Sequence, residues 1–479
     1  MSSTSVAERP ASPRRTPIAL YQPQPEVDLL RTRRLGRLLR WRWGRLAFQL
    51  PLLGLAALLV YDGLTGPQLA SQNLATVITW VHYRGLVVLA LLLVGNLFCM
   101  GCPFTLPRTL ARRLSGRGRR WPKALRNKWL AIALLVLSLW AYEWLDLWAS
   151  PVLTAWFIVA YFVAAFVLEA LFAESPFCKY VCPLGTFNFV SSTVAPYQIV
   201  ARDHDVCRTC AGKECVNGSA QALGCGTELF VPAMRSNLDC TLCLDCVRAC
   251  PYDNVALARR PRLHEVYQDS YPRRWDVAFL FLVFAFAGVG NAFGMVPPVY
   301  ALAAWLSSVL GTGNEALLLA IILGAIMVAM PVGLGLAAAW LSRRLVAGRG
   351  RGEPLRAVMA RYAPAVLPLA FAVWFAHYTF HFLTGALTAV PVLQSFLLDH
   401  GIAWLGREPN WSLAALLPTD WITPLNIGVV VVGLMASLSA LSRRGSRPAQ
   451  MPWMVLFVLV ALAAVVIFTL PMEMRGLQG

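Results

Sequence analysis

The chain has 479 residues, of which 58% are apolar and only 14% are charged. A soluble protein needs about a quarter of its residues charged to cover its surface, so the composition excludes a soluble globular enzyme, a disordered protein and a small disulfide-rich secreted domain. The formal net charge is +18. Because the arginine runs lie between apolar stretches, this excess indicates the cytoplasmic loops of a membrane protein rather than a nucleic-acid partner.

The order of apolar and polar stretches predicts an all-α membrane fold with about nine transmembrane helices. A small cytoplasmic α+β domain of the two-cluster ferredoxin type is predicted after the fourth helix. A spanning helix needs roughly 20 mainly apolar residues. The nine candidate segments are 46–63, 80–99, 129–148, 151–172, 276–293, 315–341, 362–385, 422–441 and 453–471. The predicted parts are a basic tail at 1–44, a four-helix membrane unit at 45–175, a Cys-rich domain at 176–270 and a five-helix membrane unit at 271–479.

Basic residues on alternate loops predict the orientation in the membrane. The segments 108–128 and 343–356 are rich in arginine, and Arg443 and Arg444 follow the eighth predicted helix. The loops on the opposite side carry almost no lysine or arginine. Cytoplasmic loops are the basic ones, so we expect a multi-pass protein of the inner (plasma) membrane with its N-terminus and Cys-rich domain in the cytoplasm.

The strongest motif is the run DCTLCLDCVRACPYDN. It contains Cys240, Cys243, Cys246 and Cys250, with proline directly after the last cysteine. This spacing is that of a bacterial ferredoxin run, in which three thiolates bind one [4Fe–4S] cluster and the fourth binds a second cluster. Zinc sites use two separated cysteine pairs, so the run favours iron–sulfur over zinc.

A second, less regular run contains Cys207, Cys210, Cys215 and Cys225. Two extra residues separate its second and third cysteines, and glycine follows its last. If the fourth cysteine of each run ligates the other cluster, one [4Fe–4S] cluster uses Cys207, Cys210, Cys215 and Cys250. The other uses Cys240, Cys243, Cys246 and Cys225. The alternative is that this half has lost its cluster or binds something else.

The remaining four cysteines form two pairs at predicted helix ends, Cys99 with Cys102 and Cys178 with Cys182, each pair followed by proline. Soft thiolates select Cu(I), zinc or iron–sulfur clusters. Three interpretations stay open for this set: a third cluster or a metal such as copper, a redox-active dithiol, or thiols without a cofactor.

These motifs together resemble those of polytopic ferredoxin-type membrane proteins. The group includes the quinol-dehydrogenase subunit of periplasmic nitrate reductase, the membrane maturation protein of nitrous-oxide reductase and the iron–sulfur copper reductase of oxidase assembly. The resemblance covers about residues 75–260 and rests on the paired Phe-Cys and Cys-Pro helix ends, the two cysteine runs and the sequence TWVHYRGLVVLALLLVGNLFCMGCP. The pairs of this group have a three-residue spacer, which Cys178 and Cys182 share and Cys99 and Cys102 do not. The resemblance implies quinone as the membrane partner.

Two intramembrane histidines, His377 and His381, lie on one face of the seventh predicted helix. Ionisable residues inside a membrane are candidates for function, so a quinone or metal site is one interpretation and hydrogen-bonded imidazoles of the bundle the other. A haem needs axial ligands from opposite sides, which two histidines on one helix do not supply, so the pattern argues against haem b.

Taken together, the sequence predicts an iron–sulfur protein that moves single electrons between a cytoplasmic donor or acceptor and a membrane partner. It is an oxidoreductase component or an electron carrier; its catalytic residues are not identified. One alternative is a copper reductase or metal-handling protein that uses Cys99, Cys102, Cys178 and Cys182. A second alternative is a non-catalytic sensor or assembly factor whose clusters regulate partner docking.

Overall fold

The computed structural model describes residues 27–41, 43–107, 111, 118–172, 174–346 and 353–472. Within these residues the chain is mostly helical and has one two-stranded sheet. Most of the predicted basic tail at 1–44 lies outside the described residues, and so do parts of the basic segments 108–128 and 343–356.

Among the described residues, eight helices are long and apolar enough to cross a membrane, as in a multi-pass membrane protein. Together with one shorter helix, they are numbered in chain order as α1 Gly44–Thr65, α2 Leu74–Leu93, α3 Trp129–Trp144, α4 Pro151–Leu171, α5 Trp275–Phe293, α6 Glu315–Leu345, α7 Leu355–Gly385, α8 Thr419–Ser442 and α9 Arg447–Thr469. Helix α3 has 16 residues, so it is about 24 Å long and shorter than the ~30 Å hydrocarbon core of a bilayer. The prediction of nine spans is thus supported for eight.

Helices α5 and α7 form the centre of the bundle, and both are almost wholly buried. Helix α7 packs against α8, α5 and α2, whereas α1 packs mainly against α4. The indole of Trp374 on α7 is fully buried, and its Nε1 donates to the carbonyl oxygen of Phe284 on α5 at 2.9 Å. The other long helices keep most of their surface outside the bundle, which suits apolar side chains that face lipid.

The two strands enclose both cysteine runs in the sequence. Strand β1, Tyr197–Ala201, precedes the first run, and strand β2, Val255–Arg259, follows the second and pairs with β1 antiparallel. The carboxylate of Asp28, near the start of the described chain, accepts from the Leu257 N–H at 3.2 Å. The sheet thus brings the two ends of the Cys-rich part together.

A buried ion pair connects the Cys-rich part to the membrane helices. Lys128, directly before α3, pairs through Nζ with the carboxylate of Asp239, the neighbour of Cys240. The same Nζ donates to the carbonyl oxygen of Lys179 at 3.1 Å. The start of α3 is therefore fixed to both the second cysteine run and the segment that carries Cys178.

Glu265 is a second buried anchor, and its side chain has no exposed surface. Its carboxylate accepts from the Asn237 N–H at 2.7 Å and from the Ser236 hydroxyl, and it pairs with Arg260 at 2.5 Å. Burial raises the pKa of this carboxyl, and the Arg260 charge opposes the rise. Glu265 therefore holds the segment before Cys240 against the end of β2.

We expect Glu265→Ala to lower the free energy of unfolding of the Cys-rich part by about 3–5 kcal/mol, because the change leaves the buried Arg260 charge without its partner. The opening free energy of amides in β1 and β2, measured by hydrogen exchange, checks this value. Asp205→Asn is the control: its exposed pair with Arg208 contributes less than about 1 kcal/mol. Equal effects of the two changes would contradict a structural role of the Glu265 cluster.

Candidate functional site: three groups of thiols

The eight cysteines of the two runs lie in two groups. In the first group, Cys207 is near enough to Cys210, Cys215 and Cys250 for their thiols to interact electrostatically. In the second group, Cys246 interacts in the same way with Cys240, Cys243 and Cys225. Cys250, the last of the second run, therefore lies near Cys207 and Cys215 of the first run. Cys225, the last of the first run, lies near the first three cysteines of the second.

The two groups adjoin each other through Cys215 and Cys225. The N–H of Cys225 donates to the carbonyl oxygen of Cys215 at 2.9 Å, and their thiols also interact electrostatically. The two groups are therefore in direct contact through the backbone.

The backbone of the second run is strained. Leu242 and Leu244, which flank Cys243, have φ angles of 53° and 60°. Leucine in this left-handed region is unfavourable by roughly 1–2 kcal/mol per residue, and both side chains are held in place by burial. Left-handed residues within a turn direct successive N–H groups to one side, where they bind anions. A reduced iron–sulfur cluster with four thiolates is such an anion.

Several N–H groups point at the sulfur atoms. Asn254 donates from Nδ2 to Cys207 Sγ at 3.2 Å and from its backbone N–H to Cys250 Sγ at 3.4 Å. The N–H of Leu229 donates to Cys225 Sγ at 3.4 Å. Hydrogen bonds to ligand sulfurs stabilise the more negative, reduced state of a cluster and so raise its potential.

Burial disfavours the thiolate form of several of these cysteines. Burial raises the pKa of Cys207 and of Cys243 to about 11, and it raises the pKa of Cys246 well above its ordinary value. A metal ligand must be the thiolate. Metal binding at these groups therefore has to release protons.

The other four cysteines form a third group at the ends of the membrane helices. Cys178 interacts electrostatically with Cys182, Cys102 and Cys99. Helix Leu97–Gly101 carries Cys99, and the π-helical turn Phe177–Val181 carries Cys178. Both pairs predicted at helix ends are thus brought to one place.

Hydrogen bonds also reach the sulfurs of this third group. Asn188 Nδ2 donates to Cys99 Sγ at 3.3 Å, and the Gly185 N–H donates to Cys182 Sγ at 3.1 Å. These contacts resemble those at the other two groups and provide donors for a negatively charged ligand set.

The third group adjoins the second. Cys99 interacts electrostatically with Cys243, and Asn96 Nδ2 donates to the Cys240 carbonyl oxygen at 3.0 Å. Arg45 lies between them: its guanidinium pairs with Asp245 at 2.9 Å and donates to the carbonyl oxygen of Met100 at 3.3 Å. The three groups therefore follow one another from the Cys-rich part to the membrane helices.

The donor set can be compared with possible cofactors. All twelve cysteines lie within the described residues and carry free thiols. Across the part of the chain that the structure describes, no group of three or more His, Cys, Asp or Glu side chains is arranged to hold one metal ion. In a [4Fe–4S] cluster each thiolate binds a different iron, so its ligands lie further apart than those of one ion. Four thiols per group, with N–H donors aimed at sulfur, fit a cluster better than a single ion.

The two predicted histidines lie together on α7, and both are buried. Their ring centres are 5.2 Å apart, and His377 Nε2 is 3.1 Å from Met295 Sδ, just after α5. Met295 could not be singled out from the sequence, because methionine is an ordinary residue of apolar cores.

Sequence reasoning missed Arg84 on α2. It is only 6% exposed, and its Nη1 donates to Tyr142 Oη at 3.1 Å. The guanidinium carbon lies 4.3 Å from the ring centre of Tyr142, 4.8 Å from that of Trp80 and 5.2 Å from that of Tyr378. The sequence does contain an indication of this residue, because Arg84 interrupts a long apolar stretch. Charged residues within membrane helices mark functional sites.

Comparison with known proteins gave no relative. No protein-family model, no curated protein and no solved structure matches this chain. We therefore infer function from the three groups of thiols and their surroundings.

We expect Asn254→Asp to lower the reduction potential of the cofactor at the Cys207 group by about 60 mV or more. The change removes one hydrogen bond to a charged sulfur, worth about 1.5 kcal/mol, and this corresponds to about tenfold or 59 mV for one electron. It keeps the Oδ1 atom that accepts from the Asp203 N–H at 2.9 Å. Redox titration followed by electron paramagnetic resonance measures the shift.

Asn217→Asp is the matched control, because this exposed asparagine donates to the Gly212 carbonyl oxygen near the same group and not to sulfur. It adds the same charge without removing an N–H···S bond. A shift as large as that of Asn254→Asp would show that charge alone, and not the hydrogen bond, sets the potential.

Proposed function

We propose that this chain is a membrane-bound electron-transfer protein that moves single electrons between a cytoplasmic redox partner and a membrane partner. The observation that carries this proposal is the continuous order of the three groups of thiols. One [4Fe–4S] cluster would be held by Cys207, Cys210, Cys215 and Cys250, and the next by Cys240, Cys243, Cys246 and Cys225.

We further propose that Cys99, Cys102, Cys178 and Cys182 hold a third cluster. The electrostatic interaction of Cys99 with Cys243 supports a cluster here over an isolated copper site, because an electron carrier has to lie near the next one. The short two-residue spacer of Cys99 and Cys102 does not prevent these thiols from lying beside Cys182.

The clusters supply one-electron chemistry over a wide range of potentials. The chain's own residues bury the ligand sulfurs, donate hydrogen bonds to them and set the order of the groups. Arg45 lies close enough to Cys243, Cys178 and Cys102 to stabilise negative charge at both the second and the third group.

The membrane partner is proposed to be quinone, a lipid-soluble carrier of two electrons and two protons. The resemblance to the quinol-dehydrogenase subunit of periplasmic nitrate reductase supports this choice. Neither the motifs nor the fold encodes the direction of electron flow, so either direction serves the test.

A flux measurement tests this proposal. The protein in lipid nanodiscs is given reduced methyl viologen and decylubiquinone, and formation of the quinol is followed after subtraction of the direct reaction. We expect Cys99→Ser with Cys182→Ser to lower the flux at least about a hundredfold, while about eight iron atoms per chain remain in the other two groups. Met100→Leu, beside Cys99, is the control.

Two other outcomes would replace the proposal. A steady flux to Cu(II) that is lost in the Cys99 and Cys182 double variant, without any flux to quinone, would indicate a copper reductase. Clusters that take up electrons stoichiometrically, without steady flux to quinone or to a metal, would indicate a sensor or assembly factor.

A further inference from the structure

Two adjoining cavities lie within the membrane part, beside the third group of thiols. They have volumes of about 130 Å³ and about 90 Å³. Both are lined by Thr79, Tyr83, Phe157, Tyr161 and Leu184. An apolar protein cavity of roughly 150 Å³ binds benzene. Neither cavity alone reaches this volume, so an aromatic ring would have to occupy space from both, beside the five residues that they share.

The lining is apolar and aromatic except at one end. The first cavity reaches Leu55 on α1, whose side chain is 38% exposed on the outer surface of the bundle. The second cavity reaches Arg84 and Tyr142, which hydrogen-bond to each other at 3.1 Å. An elongated apolar molecule could therefore extend from the lipid side to a pair of hydrogen-bond donors.

The cavities also lie next to thiols of the third group. The hydroxyl of Tyr83 is near enough to Cys99, Cys102 and Cys182 to interact with them electrostatically. Tyr161 on α4, which lines both cavities as well, interacts with Cys182 and Cys102. A ring bound beside the two tyrosines would thus lie close to the third group of thiols, which is the last carrier in the proposed relay.

We propose that these two adjoining cavities together bind the ring of a quinone, with Arg84 and Tyr142 donating hydrogen bonds to a ring carbonyl and the isoprenoid tail leaving past Leu55. This inference rests on the proposed function and assigns its membrane substrate to a site. A lipid acyl chain has no acceptor for a buried guanidinium. A quinone carbonyl is such an acceptor, and a planar ring suits aromatic walls. The site differs from His377 and His381, for which the sequence suggested a quinone or a metal.

Photolabelling tests the site by a readout other than activity. An azido-substituted ubiquinone-1 analogue is photolysed with the protein in nanodiscs, and the labelled peptides are mapped by mass spectrometry. We expect labels on peptides of α2 and α4 that decylubiquinone removes by competition. Thr79→Trp, which fills the shared space, should lower labelling at least about tenfold.

The control is Leu86→Trp, a change of similar kind on the same helix, at a side chain that is 54% exposed and lines neither cavity. It should leave labelling unchanged. Arg84→Gln is the second variant. Because it loses a charged hydrogen bond, the decylubiquinone concentration that prevents labelling should rise about tenfold. Iron content and elution volume show which variants are folded.

The outcomes separate this inference from the proposed function. Protein that carries its iron but is not labelled on α2 and α4, or is labelled equally in Thr79→Trp and wild type, would overturn the quinone site and leave the electron relay intact. Protein without iron would overturn the proposed function whatever the pattern of labels.

Discussion

Cys207→Ser combined with Cys250→Ser should remove about four iron atoms per chain, the same number as either change alone. Both thiols lie in one group, with Cys250 beside Cys207 and Cys215, so the two changes damage one [4Fe–4S] cluster. Cys207→Ser combined with Cys246→Ser damages two groups and should remove about eight. Iron and acid-labile sulfide on anaerobically purified protein measure both losses.

The two double variants are each other's control, because each replaces two thiols by two hydroxyls. If each cluster were instead held by the four cysteines of one run, Cys246→Ser with Cys250→Ser would remove about four iron atoms and Cys207→Ser with Cys250→Ser about eight. That result would contradict the proposed exchange of fourth ligands between the two runs.

Removal of iron should unfold the Cys-rich part while the membrane helices stay folded. The apolar core of this part is small: twelve buried apolar residues, among them Leu30, Ile199 and Leu257, pack against five of the cysteines. A domain with so little core depends on its metal for folding. After anaerobic treatment with ferricyanide and a chelator, we expect proteolysis between residues 202 and 254 to accelerate roughly a hundredfold, equivalent to about 2.7 kcal/mol.

The exposed loop at Gly401 is the internal control for this experiment. It belongs to the membrane part and has no contact with a proposed cluster, so its cleavage rate should not change. If the Cys-rich part were cleaved by protease at the same rate with and without iron, its folding would not depend on a cofactor.

Hydropathy was enough to predict that the eight long helices exist, because apolar length is a direct requirement of the bilayer. The second was misplaced: it was predicted at 80–99 but lies at Leu74–Leu93, and Cys99 belongs to the separate helix Leu97–Gly101. Helix α3 shows the limit of that reasoning. The apolar stretch at 129–148 is long enough, but the helix ends at Trp144 and Asp146 takes a φ of 45°. A single residue in the left-handed region ends a helix without any change in hydropathy.

The groups of thiols were predicted from spacing alone, because ligand spacing is a local property of the sequence. Contacts between distant segments were not predictable in this way. The approach of Cys99 to Cys243, and of Met295 to His377, depends on how helices pack, and a single sequence does not record that packing. Arg84 could have been noticed as a buried charge, but two of its three aromatic partners, Tyr142 and Tyr378, come from α3 and α7.

The most direct test of the account is the content of iron and acid-labile sulfide in the anaerobically purified wild-type protein. Three [4Fe–4S] clusters require about twelve of each per chain, and the account predicts this value. About eight would contradict a relay that continues through Cys99, Cys102, Cys178 and Cys182 to the membrane. A value near zero would contradict the iron–sulfur function as a whole.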